Sequence, residues 1–308
     1  MTIQTAKGPS RLDALTKTWG RGVVIGVPMA FLLLVFLLPF LVVFKISFSE
    51  MEGVAFQDLI TWADGALHFQ IKTDNYVNLV QDALYLQTYW SSLVFAATTT
   101  CICLLLAYPF AYFLARSPAD RRPALLMLVM LPFWTSFLLR VYAWKMLLAD
   151  AGVFNNVAMS MGLIAEPLKM MNTPFSMVLG MVYTYLPFMV LPLYANLVKM
   201  DLRLLEAALD LGATPWQAFW RITVPLSFSG IVAGSMLVFI PCVGEFVIPE
   251  LLGGPQTLMI GRVLWDEFFS NNDWPMASTV AVVMVLLIIV PVALFSRSRA
   301  ENQAEGRA

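Results

Sequence analysis

Residues 200–226 read MDLRLLEAALDLGATPWQAFWRITVPL. The stretch resolves into two short helices with a turn between them. Leu202, Leu205 and Leu209, spaced three and four apart, form an apolar stripe on the first helix. Gly212 follows as a terminator that can take a left-handed backbone. Thr214 is a natural N-cap, Pro215 suits the first helical position, and Gln217, three residues after Thr214, completes a capping box. Pro225 is expected to stop the second helix before the next apolar run. Glu206 and Asp210 place two carboxylates four residues apart on one face, and the small Ala207 and Ala208 let another backbone approach closely. A capped hairpin of this kind transmits a push, whereas a loose loop does not. The stretch therefore reads as a docking device.

Outward from the hairpin, composition identifies the setting. The 308 residues are 59% hydrophobic and 13% charged, against about 45–50% and about 25% in a soluble domain. Six runs are long and apolar enough to span a membrane: 23–44, 88–114, 123–148, 175–197, 228–249 and 275–295. The fold class is an all-α polytopic membrane protein with six transmembrane helices. The polar leader runs into a full-length span with no small-x-small cleavage site, so the first helix is expected to stay as an uncleaved anchor.

An even number of spans puts both termini on one side. The N-terminal tail carries Lys7, Arg11, Lys17 and Arg21. Arg116, Arg121 and Arg122 join the second and third spans, Lys199, Arg203 and Arg221 join the fourth and fifth, and Arg297, Arg299 and Arg307 end the chain. Most of the 19 basic residues thus share one face, which the positive-inside rule places in the cytoplasm, docking hairpin included. The opposite face is acidic: Glu50, Glu52, Asp58, Asp64, Asp74 and Asp82 in the first outer loop, then Glu250, Asp266, Glu267 and Asp273 in the last. Such a face attracts cations, although solvating a loop explains the same acids. The resulting layout is a cytoplasmic tail over 1–22, a first helix over 23–44, an extracytoplasmic loop over 45–87, a core of five helices over 88–295 with the docking loop at 198–227, and a cytoplasmic tail over 296–308.

Several chemistries are excluded. A net charge of −1 offers no basic excess for nucleic acid. Cys101, Cys103 and Cys242 lie in apolar runs as small core residues, and with the single His68, expected on the surface, they make no metal site. There is no P-loop, zinc-protease helix or nucleophile elbow, so no catalytic residue is assigned and no cofactor is expected on this chain.

Glu206-Ala207-Ala208, three residues, Gly212, nine residues, Ile222-x-Val224-Pro225 resembles the EAA loop of ABC-importer permeases, with Val224 in place of that family's Leu. The resemblance implies a type I ABC importer permease fold in a bacterial inner membrane, with the helix around Glu206 as a coupling helix seated in an ATPase. ATP and magnesium would be used by that partner, a pair of identical ATPase subunits. A second, homologous permease, an extracytoplasmic binding protein and the surrounding membrane lipid complete the implied partners. Further blocks resemble polyamine-importer permeases of the putrescine/spermidine type: Leu131-Pro132-Phe133-Trp134-Thr135-Ser136-Phe137 with Arg140-Val141-Tyr142-Ala143-Trp144, then Gly244 through Gly254, and Ile260-Gly261-Arg262-Val263-Leu264-Trp265. Importers of ferric iron or thiamine share parts of these blocks. An ion-driven secondary transporter would want interrupted helices in corresponding halves, and only one strong interruption, Pro241 to Glu245, is visible. A membrane scaffold would leave the acidic outer face without a transported cation to serve.

Glu245 is the carboxylate of the fifth span, about 26 Å along it at 1.5 Å per residue. Pro241 and Gly244 are expected to break the helix beside it, which is one way to line a cavity. Glu245 has three readings: a contact for a substrate ammonium, a buried partner of Arg140 at similar depth in the third span, or a contact for the binding protein. Trp134, Tyr142, Tyr183 and Tyr185 are candidate aromatic walls for a polyamine, though belt and packing roles suit the same residues. Lys45 and Lys145 are expected to snorkel at outer span ends.

Overall fold

A computed structural model describes residues 23–52, 55–56, 60–63, 66–69 and 71–305. The tail at 1–22 with Lys7, Arg11, Lys17 and Arg21, the loop acids Asp58 and Asp64, and Arg307 lie outside the described residues. The chain divides into two units, one ending at Tyr76 and including Asp273–Val283, the other built from Val77–Asn272 and the residues from Met284 on.

The first unit holds α1, Val23–Ile46, which is apolar along its length and buries none of it against the chain. A helix apolar all round with no protein cover is made for lipid. Its end is tied down by polar contacts. The Thr279 hydroxyl donates to the Ser47 carbonyl at 3.0 Å, Asn75 Nδ2 donates to the Ser49 carbonyl at 2.9 Å, and Lys72 pairs with Glu50. Two short antiparallel hairpins follow, β1 Met51–Glu52 with β2 Ala55–Phe56, and β3 Ile60–Ala63 with β4 Ala66–Phe69, in which His68 opposes Thr61. Helix α2 spans Asp74–Gln81.

The second unit is organised on three helices: α3 Ala83–Arg116, α7 Pro174–Leu197 and α10 Phe228–Val243. They pack closely because small residues recur at helical spacing. Ala96, Cys103, Ala107 and Ala111 of α3 are fully buried, facing a core that includes Met177, Met181, Met189 and Leu193 of α7 and Val238 and Cys242 of α10. This is how helices associate in lipid, where a large apolar residue gains nothing by leaving the bilayer. At Gly230 the approach is close: a Cβ there would lie 3.0 Å from the Pro192 carbonyl oxygen and 2.8 Å from Asn196 Cβ.

The third span departs from the continuous helix read over 123–148. Helix α4, Arg122–Met130, runs into a 3-10 turn, Leu131–Trp134, and α5 starts afresh at Phe137–Leu148, followed by α6, Val153–Ser160. The two halves bend by 84°. Thr135 and Ser136 are extended, and the Thr135 hydroxyl donates to the Pro132 carbonyl at 2.8 Å, which ends the turn. The fifth span is also interrupted. Helix α10 ends at Val243, and α11 covers Val247–Leu252. Pro241 lies within α10, so the break falls at Gly244–Phe246 and the continuous run to 249 is corrected. Helix α8 spans Arg203–Asp210, α9 Pro215–Leu226, α12 Ile260–Trp265, and α13 Trp274–Glu305. Among the described residues three single helices are long and apolar enough to cross a membrane, or five elements if each bent pair is one span.

Candidate functional site

The turn of the hairpin is built as its spacing predicts. Asp201 Oδ1 accepts from the Arg203 N–H at 3.0 Å at the start of α8. At its end Gly212 has φ +84, the Gly212 N–H donates to Leu209 at 2.9 Å and the Ala213 N–H to Ala208 at 3.0 Å. These two bonds satisfy the last carbonyls in a Schellman motif, which requires the left-handed residue. The reciprocal capping box then opens α9: Thr214 Oγ1 accepts from the Gln217 N–H at 3.3 Å, and Gln217 Oε1 accepts from the Thr214 N–H at 3.0 Å.

Helix α9 ends one residue past Pro225, before α10 begins. A π-helical turn at Phe219–Thr223 widens the coil ahead of the proline, and the helix continues to Leu226. The bend, 64° between α9 and α10, falls at Ser227, whose hydroxyl lies 2.8 Å from Tyr108 Oη of α3. Glu206, Ala207 and Asp210 are exposed, Ala208 and Ile222 half-buried. The leucine stripe is not seated on the chain itself, since only Leu205 is half-buried while Leu202 and Leu209 are exposed.

The second centre is the break after α10. Glu245, only 9% exposed, curls back over the start of α11. Its Oε1 accepts from the N–H groups of Phe246 at 3.2 Å, Val247 at 3.1 Å and Ile248 at 3.4 Å, and its Oε2 accepts from Tyr185 Oη. A carboxylate at a helix N-terminus meets unsatisfied donors and the positive end of the dipole together. Gly261 of α12 closes the far side, its Cα so near the Gly244 and Glu245 carbonyls that a Cβ would stand 2.5 and 2.7 Å from their oxygens. Phe246 stacks on Trp265 with ring centroids 4.4 Å apart.

Of the three readings of Glu245, the pair with Arg140 does not form. The bend in the third span voids the depth count that matched the two residues, and backbone N–H groups already occupy the carboxylate. The Arg140 guanidinium instead lies over Phe133 at 5.3 Å and Phe137 at 5.9 Å, and its Nε and Nη1 are buried without an acceptor. Of the candidate walls, only Tyr185 reaches Glu245. Tyr183 packs edge-on against Trp144 at 5.5 Å, Tyr142 carries Lys145 Nζ at 6.0 Å from its centroid, and Trp134 is 73% exposed. Sequence reasoning missed Phe133 and Phe188, which meet edge-on at 4.8 Å, with Tyr185 6.1 Å from Phe188. The Pro132-Phe133 step before Thr135-Ser136 was the available signal, because a proline and two hydroxyl residues mark a turn.

The geometry is thus a broken-helix centre joined through one bent rod to an exposed hairpin. Residues 18–297 match the family described as binding-protein-dependent transport system inner membrane component, and the chain belongs to it. It is therefore an inner-membrane protein. Among its relatives is the spermidine/putrescine transport system permease protein PotB of Haemophilus influenzae, 38% identical over 276 residues, 90% of this chain and 93% of that one. PotB of Escherichia coli K12 is 40% identical over 266 residues, covering 85% and 93%. A solved bacterial ABC transporter involved in the import of the acidic polysaccharide alginate shares the fold, with a TM-score of 0.64 at 19% identity over 95% of this chain and 99% of that chain.

Proposed function

We propose that this chain is a permease subunit of an ATP-driven importer of putrescine, spermidine or both. Identity of 38–40% to two PotB permeases along nearly their whole length supports the substrate class. The observation that carries the ATP-driven reading is the capped hairpin whose first helix is exposed on its Glu206, Ala207 and Asp210 face. In this reading the chain crosses the membrane six times, by α1, α3, the bent α4–α5 pair, α7, α10 and α13, with both termini in the cytoplasm. Helix α8 seats in an ATPase subunit that binds the ATP and magnesium. A second, homologous permease completes the pathway, and an extracytoplasmic binding protein delivers the substrate.

The coupling route is then physical. A push on α8 passes through the two-bond Schellman turn and the capping box to α9, and through Ser227 to α10. The far end of α10 is the Glu245 break, where the bound carboxylate faces Tyr185. A polyamine ammonium competes there for a charge now held by one hydroxyl and three backbone donors. The test is uptake of radiolabelled putrescine and spermidine into proteoliposomes holding this chain, its partner permease and the ATPase, with the cognate binding protein supplied on the extracytoplasmic side. ATP-dependent uptake of either polyamine is expected. Binding-protein-dependent uptake of ferric iron or thiamine with none of polyamine would retain the importer and overturn the substrate.

A further inference from the structure

The inner end of α3 and the flank of α9 enclose an apolar groove of about 460 Å³. Leu104, Leu105, Tyr108 and Tyr112 form one wall, and Trp216 and Trp220 the other. Leu105 is 73% exposed, Trp216 69% and Trp220 53%, so the described chain leaves the groove open. From Leu104 to Tyr112 it follows α3 for about 12 Å at 1.5 Å per residue. A charge lies one helical turn beyond its last aromatic wall, Tyr112. The Arg116 guanidinium lies 4.9 Å over the Tyr112 ring, and its Nη2 is buried without an acceptor. None of the ion pairs formed among the described residues involves Arg116.

An apolar slot along a spanning helix, with an unpaired guanidinium over the ring at its end, matches the two halves of a phospholipid. Tryptophans gather at headgroup level, and basic pockets between helices there recognise anionic headgroups. We propose that this groove binds one anionic phospholipid, with an acyl chain along Leu104–Tyr112 and the phosphate on Arg116. A zwitterionic lipid would fill the apolar walls equally well, so selectivity for negative charge is the property that identifies the site. The bound lipid braces α9 against α3 beside the Ser227 bend, where the Phe219 ring already meets Tyr108 edge-on at 5.5 Å. The proposal rests on the membrane setting alone and is independent of the substrate.

The full-length chain is reconstituted in phosphatidylcholine vesicles containing either brominated phosphatidylglycerol or brominated phosphatidylcholine, and tryptophan fluorescence is titrated against the brominated fraction. Both lipids offer a phosphate to Arg116, but phosphatidylcholine answers it with its own ammonium, so the net negative charge of the anionic lipid predicts roughly fivefold tighter binding, seen as half-maximal quenching at about a fifth of the mole fraction. Arg116→Gln should bring the two curves together. Trp216→Phe with Trp220→Phe, which leaves Arg116 in place, should remove the anion-selective part of the quenching. Equal quenching in the parent, or a preference that survives Arg116→Gln, overturns the proposal. A preference that survives loss of both tryptophans puts the anionic lipid elsewhere and overturns it as well.

Discussion

The contact between Tyr185 and Glu245 makes a sharp prediction, because two rival partners for one carboxylate are separated by a measurement. Glu245 accepts from Tyr185 Oη, and Arg140 makes no pair with it. Tyr185→Phe removes one charge-assisted hydrogen bond and leaves the three backbone donors on Oε1. Its expected cost is about 1.5–3 kcal/mol. Glu245→Gln keeps the shape and one acceptor oxygen, but replaces the charge with an amide that needs acceptors in a buried site. Once Glu245 is Gln, Tyr185→Phe should cost far less, giving an interaction energy of about 1–2 kcal/mol, within the range for residues in contact. Arg140→Gln in the same cycle should couple to Glu245 by less than about 0.5 kcal/mol. At roughly 2–4 °C per kcal/mol, the Tyr185→Phe loss is a shift of several degrees. Thermal unfolding in nanodiscs, followed by near-ultraviolet circular dichroism, reads all the variants. Strong coupling of Arg140 to Glu245 with none of Tyr185 would refute the reasoning and restore the buried ion pair.

Further outcomes follow from single positions. Gly212→Val places a β-branched residue at φ +84 in open space, so its cost is conformational, at least about 1–2 kcal/mol; the ATPase should co-purify poorly while the permease fold persists. Glu206→Lys reverses an exposed charge without touching the fold, and should abolish ATPase association in a pull-down with no change in melting temperature. Gly261→Ala drives a methyl against the Gly244 and Glu245 carbonyl oxygens at 2.5 and 2.7 Å. Backbone cannot yield as a side chain does, so a loss of about 1–3 kcal/mol should appear as a lower melting temperature, together with impaired uptake.

Local chemistry was legible wherever it depended on neighbours in the chain. Gly212, Thr214 and Gln217 specify their turn by spacing alone, because caps and Schellman bonds close within a few residues. The apolar runs were legible for the same reason: a span must satisfy its backbone internally. The interruption near Gly244 could be seen, but its exact place could not, since a proline inside a membrane helix is tolerated when neighbouring helices support it.

The capped hairpin and the membrane character of this protein were thus determined by sequence alone. What Glu245 touches was decided only by tertiary structure. Counting residues along straight helices set it beside Arg140, but the 84° bend at Thr135–Ser136 redirects the third span, and the break after α10 supplies backbone donors that no side-chain inventory contains. A buried charge takes the nearest satisfied geometry, and only the fold says which groups are near.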